Sequence, residues 1–134
     1  MRMMGHNVLA IVVAAIAIYA LEYLIFAVLV PGEAYMTMSG YSAESMQAGM
    51  ARMPFGVIPP ILAAIGLSLA IKWRNKPGWM SGLVTGVLMA MFFAFAVGFY
   101  GYVYGPNDLN FMAVSLGHFV GCYGAAGAIL GAWK

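Results

Sequence analysis

A chain of 134 residues that is 64% hydrophobic and only 7% charged lies far from the roughly quarter-charged composition of a soluble domain. A chain this short buries only about two-thirds of its surface, so the apolar excess faces lipid, and the sequence reads as one compact integral membrane domain. The net charge of +2 is too small and too scattered for a nucleic-acid partner, and the single cysteine, Cys122, excludes an internal disulfide without fixing a redox compartment.

The first apolar run extends from Asn7 to Val30 and ends at Pro31-Gly32. Arg2 and the "AIA" at Ala15–Ala17 imitate a signal peptide, but the apolar stretch is longer than a usual h-region and reads as a span. The link from Pro31 to Met53 is the only long polar one. In "YSAESMQAGMARM", Ser42 suits an N-cap and Glu44 the first turn. Met46, Met50 and Met53 then share a face, which predicts a short amphipathic helix on the outer surface.

The second run, about residues 55–73, contains Pro59 and Pro60. A helix begun at Pro60 would hold about a dozen apolar residues, or ~18 Å, too short to span. A proline-kinked helix begun near Pro54 is therefore expected, its freed carbonyls satisfied by neighbouring helices. "KWRNKPGW" leads into the third run, Gly78 to Tyr104, which ends at Gly105-Pro106. The fourth run is Leu109 to Trp133. The prediction is an all-α, four-helix transmembrane bundle in a bacterial inner membrane. Five of the six basic residues, Arg2, Lys72, Arg74, Lys76 and Lys134, fall on one side, leaving Arg52 on the other. The positive-inside rule makes that side cytoplasmic, with both termini there. Trp73, Trp79 and Trp133 mark the same boundary, and Tyr35, Tyr100, Tyr102 and Tyr104 the other.

Two ionisable residues lie within spans. Glu22 lies more than two turns inside the far end of the first run, and His118 is at matching depth in the fourth, each about 12–13 Å below the outer boundary. Unpaired charges there are expensive, so such residues pair or line a cavity. Burial and pairing pull their pKa values in opposite directions, and an ion pair and a neutral hydrogen-bonded pair both fit. Tyr19, Tyr23 and Ser115 are candidate polar neighbours. The functional reading is a proton relay or solute site; the structural reading is a clasp between helices, worth about 1 kcal/mol.

Other chemistry is thin. A haem with two protein ligands on His118, beside Gly117 and Gly121, would need a second His or Met, and His6 is at the opposite end; a single-ligand pigment stays open. Met36, Met38, Met46, Met50 and Met53 resemble a soft-metal set, but methionine also fills apolar surfaces, and Met89, Met91 and Met112 show its free use here. No metal and no cofactor is expected. Neither a nucleophile elbow, a phosphate loop nor a zinc-protease motif is present, so the expectation is a non-catalytic protein. Gly78, Gly82 and Gly86 recur at intervals of four, as do Gly117, Gly121 and Ala125, and also Gly124, Ala128 and Ala132, with Gly127 and Gly131 a further pair. Small residues at this spacing let helices approach closely. The expectation is that one stripe joins the third and fourth helices, leaving Gly124–Ala128–Ala132 for another subunit.

The C-terminal "LGHFVGCYGAAGAILGAWK" resembles the last helix of the domain of unknown function 1761 family, carried by His118 and by the run from Gly127 to Lys134. The resemblance implies a bacterial four-helix membrane protein of similar length with a polar link after the first helix. It also implies an aromatic residue where Glu22 stands, which makes the Glu22–His118 pair a departure of this chain. Two functions follow. The first is an accessory or assembly subunit, partnered by the bilayer and by another membrane subunit or a copy of itself. The second is a small proton-coupled carrier using Glu22 and His118.

Overall fold

The computed structural model describes residues 2–3 and 6–133; Lys134, counted above in the charge distribution, lies outside them. Four helical segments are long and apolar enough to cross a membrane: Val8–Leu29, Ala43–Arg74, Trp79–Val103 and Leu109–Ala132. The only extended structure among the described residues is a two-residue antiparallel pairing of Arg2–Met3 with His6–Asn7.

Asn7 starts the first span by accepting from the backbone N–H groups of Leu9 and Ala10 at 3.1 and 3.3 Å, the usual remedy for orphan donors at a helix start. The final six residues, Leu24–Leu29, are π-helical. The first link holds a helix that the sequence reading overlooked, Gly32–Ser39, closed by Gly40 in the left-handed region at φ 68°. A Cβ at Gly40 would meet Pro106, and Asp108 N–H donates to the Met38 carbonyl at 2.8 Å. The first and third links are thereby fastened together over the end of the bundle away from the termini.

Ser42 caps the next helix, accepting from Ser45 N–H at 3.2 Å. That helix is not a separate surface element. Ala43–Gly49 runs on through a 3-10 segment, Met50–Val57, into the α-helix Ile58–Arg74. The prolines divide the work. Pro54 lies in the 3-10 part, while Pro59 and Pro60 stand in the first turn of the α part, where proline's fixed φ suits the helix.

At the other end, Arg74 donates to the Ser81 carbonyl at 3.2 Å and to Thr85 Oγ1 at 2.7 Å, pinning the second link onto the third span. The third span carries a second π-helical stretch, Ala90–Ala94. Asp108 caps the fourth span by accepting from Phe111 N–H at 2.8 Å. Trp73, Trp79 and Trp133 are exposed at one end of the bundle and Tyr100, Tyr102 and Tyr104 at the other. Tyr35 does not join that second group: its ring packs edge-on to Phe26 and Phe111.

The fourth span packs against all three others, most extensively on the third. A Cβ added at Gly82 or Gly86 would strike the backbone carbonyl of Gly127 or Tyr123, and one at Gly127 or Gly131 the carbonyl of Gly82 or Gly78. Gly78 N–H also donates to the Gly131 carbonyl at 3.0 Å. This contact corrects the expected packing. Gly117 and Gly121 face open space, whereas Gly124 lies against Val87. Ala128 is half-buried and Ala132 exposed. Gly127 and Gly131, with Gly124, meet the third span, so the face left free holds Gly117 and Gly121 together with Ala132, the exposed end of the Gly124–Ala128–Ala132 stripe. Gly124 is one heptad on from Gly117 and shares its side of the helix.

Candidate functional site

The first span turns one row inward: Ala10, Ala14 and Ile18 are buried at intervals of four. Glu22 and Phe26 continue the same row. On the fourth span, Ser115, His118, Cys122 and Ala126 are buried along one face. The two rows meet, and His118 Nε2 stands 3.3 Å from Glu22 Oε1. The imidazole side chain is 10% exposed and the carboxylate 29%, so the pair is tucked between helices without being sealed. Below it, Cys122 directs its thiol toward the Ile18 carbonyl at 3.8 Å.

His118, the imidazole member of the pair, lines a cavity of about 560 Å³; Glu22 stands behind it and is not part of the wall. The cavity walls are aromatic. Phe26, from the π-helical end of the first span, meets the His118 ring edge-on at 5.0 Å, and Phe119 lies 4.9 Å from it on the other side. Tyr35, from the overlooked link helix, packs at 5.9 Å against both Phe26 and Phe111. Burial pushes the Tyr35 phenol above its ordinary value, and neighbouring Tyr41 adds to the shift. Ser115, one turn before His118, adds a hydroxyl, and Met46 and Met53 add thioethers. Asn107 also lines the cavity. Its Oδ1 is buried without a partner, an arrangement that costs about 1–3 kcal/mol.

Toward the termini the route is closed. Ile18, Leu67, Cys122, Ala14, Ala64 and Ala126 form a packed apolar plug, each at most 2% exposed. The cavity is therefore closed toward the termini, and its walls include Gly32, Tyr35 and Asn107 from the first and third links and Met46 and Met53 from the second span.

Of the sequence-predicted residues, Glu22, His118 and Ser115 come together. Tyr19 and Tyr23 do not. Both are exposed, and neither hydrogen-bonds to Glu22 among the described contacts. They sit one residue off the inward row, so the helical twist turns them outward. Tyr19 instead borders a shallow depression with Ile16 and second-span Val57, Pro60 and Ile61. Among the described residues, no three His, Cys, Asp or Glu side chains gather as a metal site.

The sequence reading missed Phe26, Tyr35, Phe111 and Phe119, and both π-helical stretches. Phe26 was recoverable, since it lies four residues beyond Glu22 on the same row. The π-helical turns leave no such mark, because inserting a residue into a helix needs no special residue type. Such turns are frequent at functional sites, and here one supplies Phe26 to the cavity.

The chain matches the family model described as "Protein of unknown function (DUF1761)" over residues 9–131. No curated protein and no solved structure matches it.

Proposed function

We propose that this chain, which belongs to the DUF1761 family, is a small proton-linked carrier that receives a solute in the cavity ending at His118. The observation that supports this most is the coincidence of two features. The imidazole that Glu22 holds at 3.3 Å also lines an open, aromatic-walled cavity. A clasp has no need of a cavity, and intramembrane ionisable residues that reach one default to a functional role. With Nε2–H donating to Glu22, the other ring nitrogen of His118 is left as an acceptor. A proton taken there would form an imidazolium held by the Glu22 carboxylate. Binding and proton uptake are then coupled at one residue.

The plug of Ile18, Leu67 and Cys122 closes the site toward the termini, which suits one state of an alternating-access cycle. The link bearing Lys72, Arg74 and Lys76 lies at the opposite end, together with the tryptophans. By the positive-inside rule that end is cytoplasmic, so the cavity opens outward in a bacterial inner membrane.

An accessory-subunit role is the second reading. It draws on Gly117 and Gly121, small, exposed and facing open space, where another membrane helix has room to approach closely.

The carrier reading is tested in proteoliposomes holding an internal pH dye, challenged in turn with short-chain alcohols, amines and monocarboxylates. One class should move protons with the wild type and not with Glu22→Gln or His118→Gln. Proton movement unchanged in both variants would overturn the role given to the pair.

A further inference from the structure

A second concavity, of about 490 Å³, lies between the second and third spans. It is lined by Ala63, Gly66 and Leu67 on one side and by Met89, Phe93 and Val97 on the other. Gly66 is bare here: a Cβ added to it would meet nothing. The groove shares two residues, Gly98 and Phe119, with the His118 cavity. A Cβ at Gly98 would lie 3.1 Å from Phe119 Cε2. One aromatic ring leaning on one glycine therefore separates an apolar groove from the imidazole. The π-helical stretch Ala90–Ala94 supplies Phe93 and Ala94 to the groove wall.

We propose that groove and cavity together form the binding site of a membrane-dissolved, single-chain amphiphile with a small hydroxyl head. The head reaches His118 and Ser115, and the tail lies between the second and third spans. Phe119 swings off Gly98 to let it pass. This rests on the reading of the His118 cavity as a ligand site and names its substrate class.

The chemistry excludes the commonest alternative. The groove residues are apolar apart from the Tyr123 phenol, so they offer a tail many contacts and a charged group none. His118 lies about 12 Å inside the boundary, counted at 1.5 Å per residue from the start of its helix. A phosphate drawn to that depth would leave its charge unsolvated, at a cost of several kcal/mol or more. A neutral hydroxyl loses far less and finds an imidazole and a serine hydroxyl. An ordinary phospholipid tail would occupy the groove alone and stop at Phe119, short of His118.

The test uses the full chain in mild detergent with two probes. One is a dodecanol analogue carrying a photoreactive diazirine near its tail end. The other is diethyl pyrocarbonate, which modifies accessible histidine, with His118 followed in its own peptide. In the wild type, photolabelling should be saturable, should fall in the peptide containing Phe93 and Val97, and should be competed by plain dodecanol. Dodecanol should also slow carbethoxylation of His118 by tenfold or more. Gly98→Leu, which fills the passage, should lose that protection, so that the rate at which its His118 reacts no longer changes when dodecanol is added. Gly66→Leu, placed where there is open space, should lose the tail labelling with no fold at risk. Non-saturable labelling, or dodecanol leaving His118 reactivity unchanged, would overturn the amphiphile. If His118 in the folded wild type does not react at all, it is the cavity reading that fails.

Discussion

Replacing Glu22 and His118 by leucine, singly and together, separates a working pair from two unrelated polar residues. Glu22→Leu strands the imidazole, whose side chain is only 10% exposed, without its one hydrogen-bond partner. Leaving a buried polar group unpaired costs about 1–3 kcal/mol. His118→Leu strands the carboxylate. Being 29% exposed, it can relax or take up a proton, so its penalty belongs at the lower end of the same range. The double replacement removes one interhelical hydrogen bond, worth about 1 kcal/mol, and returns apolar contact on both rows. It should therefore be more stable than at least one single variant, since a lone partner is worse than none, with a coupling energy of about 1–2 kcal/mol. Cys122 provides the assay. It is the only cysteine and is fully buried one turn below His118, so a thiol-reactive dye reports unfolding across a detergent titration. If the two single losses simply add in the double variant, the pair is not energetically coupled, and both clasp and relay fail.

Four further outcomes follow from the packing. Gly86→Ala places a methyl against the Tyr123 carbonyl; backbone cannot yield cheaply, so a loss at the upper end of the 1–3 kcal/mol overpacking range, or beyond it, is expected by the same dye assay. Gly121→Leu points into open space and should leave monomer stability within ~0.5 kcal/mol; loss of a co-purifying partner or dimer in that variant alone would favour the accessory-subunit reading. Single cysteines at Glu44 and Lys76 in a Cys122→Ala background should label from opposite sides of intact cells, and labelling from the same side refutes the four-span orientation. Tyr35 binds its proton more tightly folded than unfolded, its pKa being raised from 10.0. Its contribution is thus complete below about pH 10 and is lost as the pH rises through the folded value; Tyr35→Phe should flatten the alkaline fall in melting temperature, and an unchanged fall would contradict the burial.

What the sequence made legible was whatever depends on a single helix. Spans, caps and depth are local properties, so Ser42 could be recognised as a cap and Glu22 could be matched to His118 by counting from the span ends. Which way a residue faces depends on the neighbours. Tyr19 and Tyr23 looked like company for Glu22 because they are near in sequence, yet the inward row of Ala10, Ala14, Ile18 and Glu22 turns both outward. The glycine stripes failed for the same reason. Gly117-Gly121 and Gly127-Gly131 have equal spacing, and only the position of the third span decides which pair meets Gly82 and Gly86.

The cavity itself follows from that choice. By packing against backbone at Gly82, Gly86, Gly127 and Gly131, the third and fourth spans close tightly toward the end that carries the termini. Farther along, the third span is π-helical and meets the fourth through Gly98, against the Phe119 ring. Backbone-to-backbone packing there gives way to packing through an aromatic side chain. The Glu22–His118 pair sits where the packed alanine core ends and the aromatic half begins. His118, held by Glu22 at that boundary, has packed apolar side chains on one side and the cavity on the other. That asymmetry is the physical ground for preferring a site to a clasp.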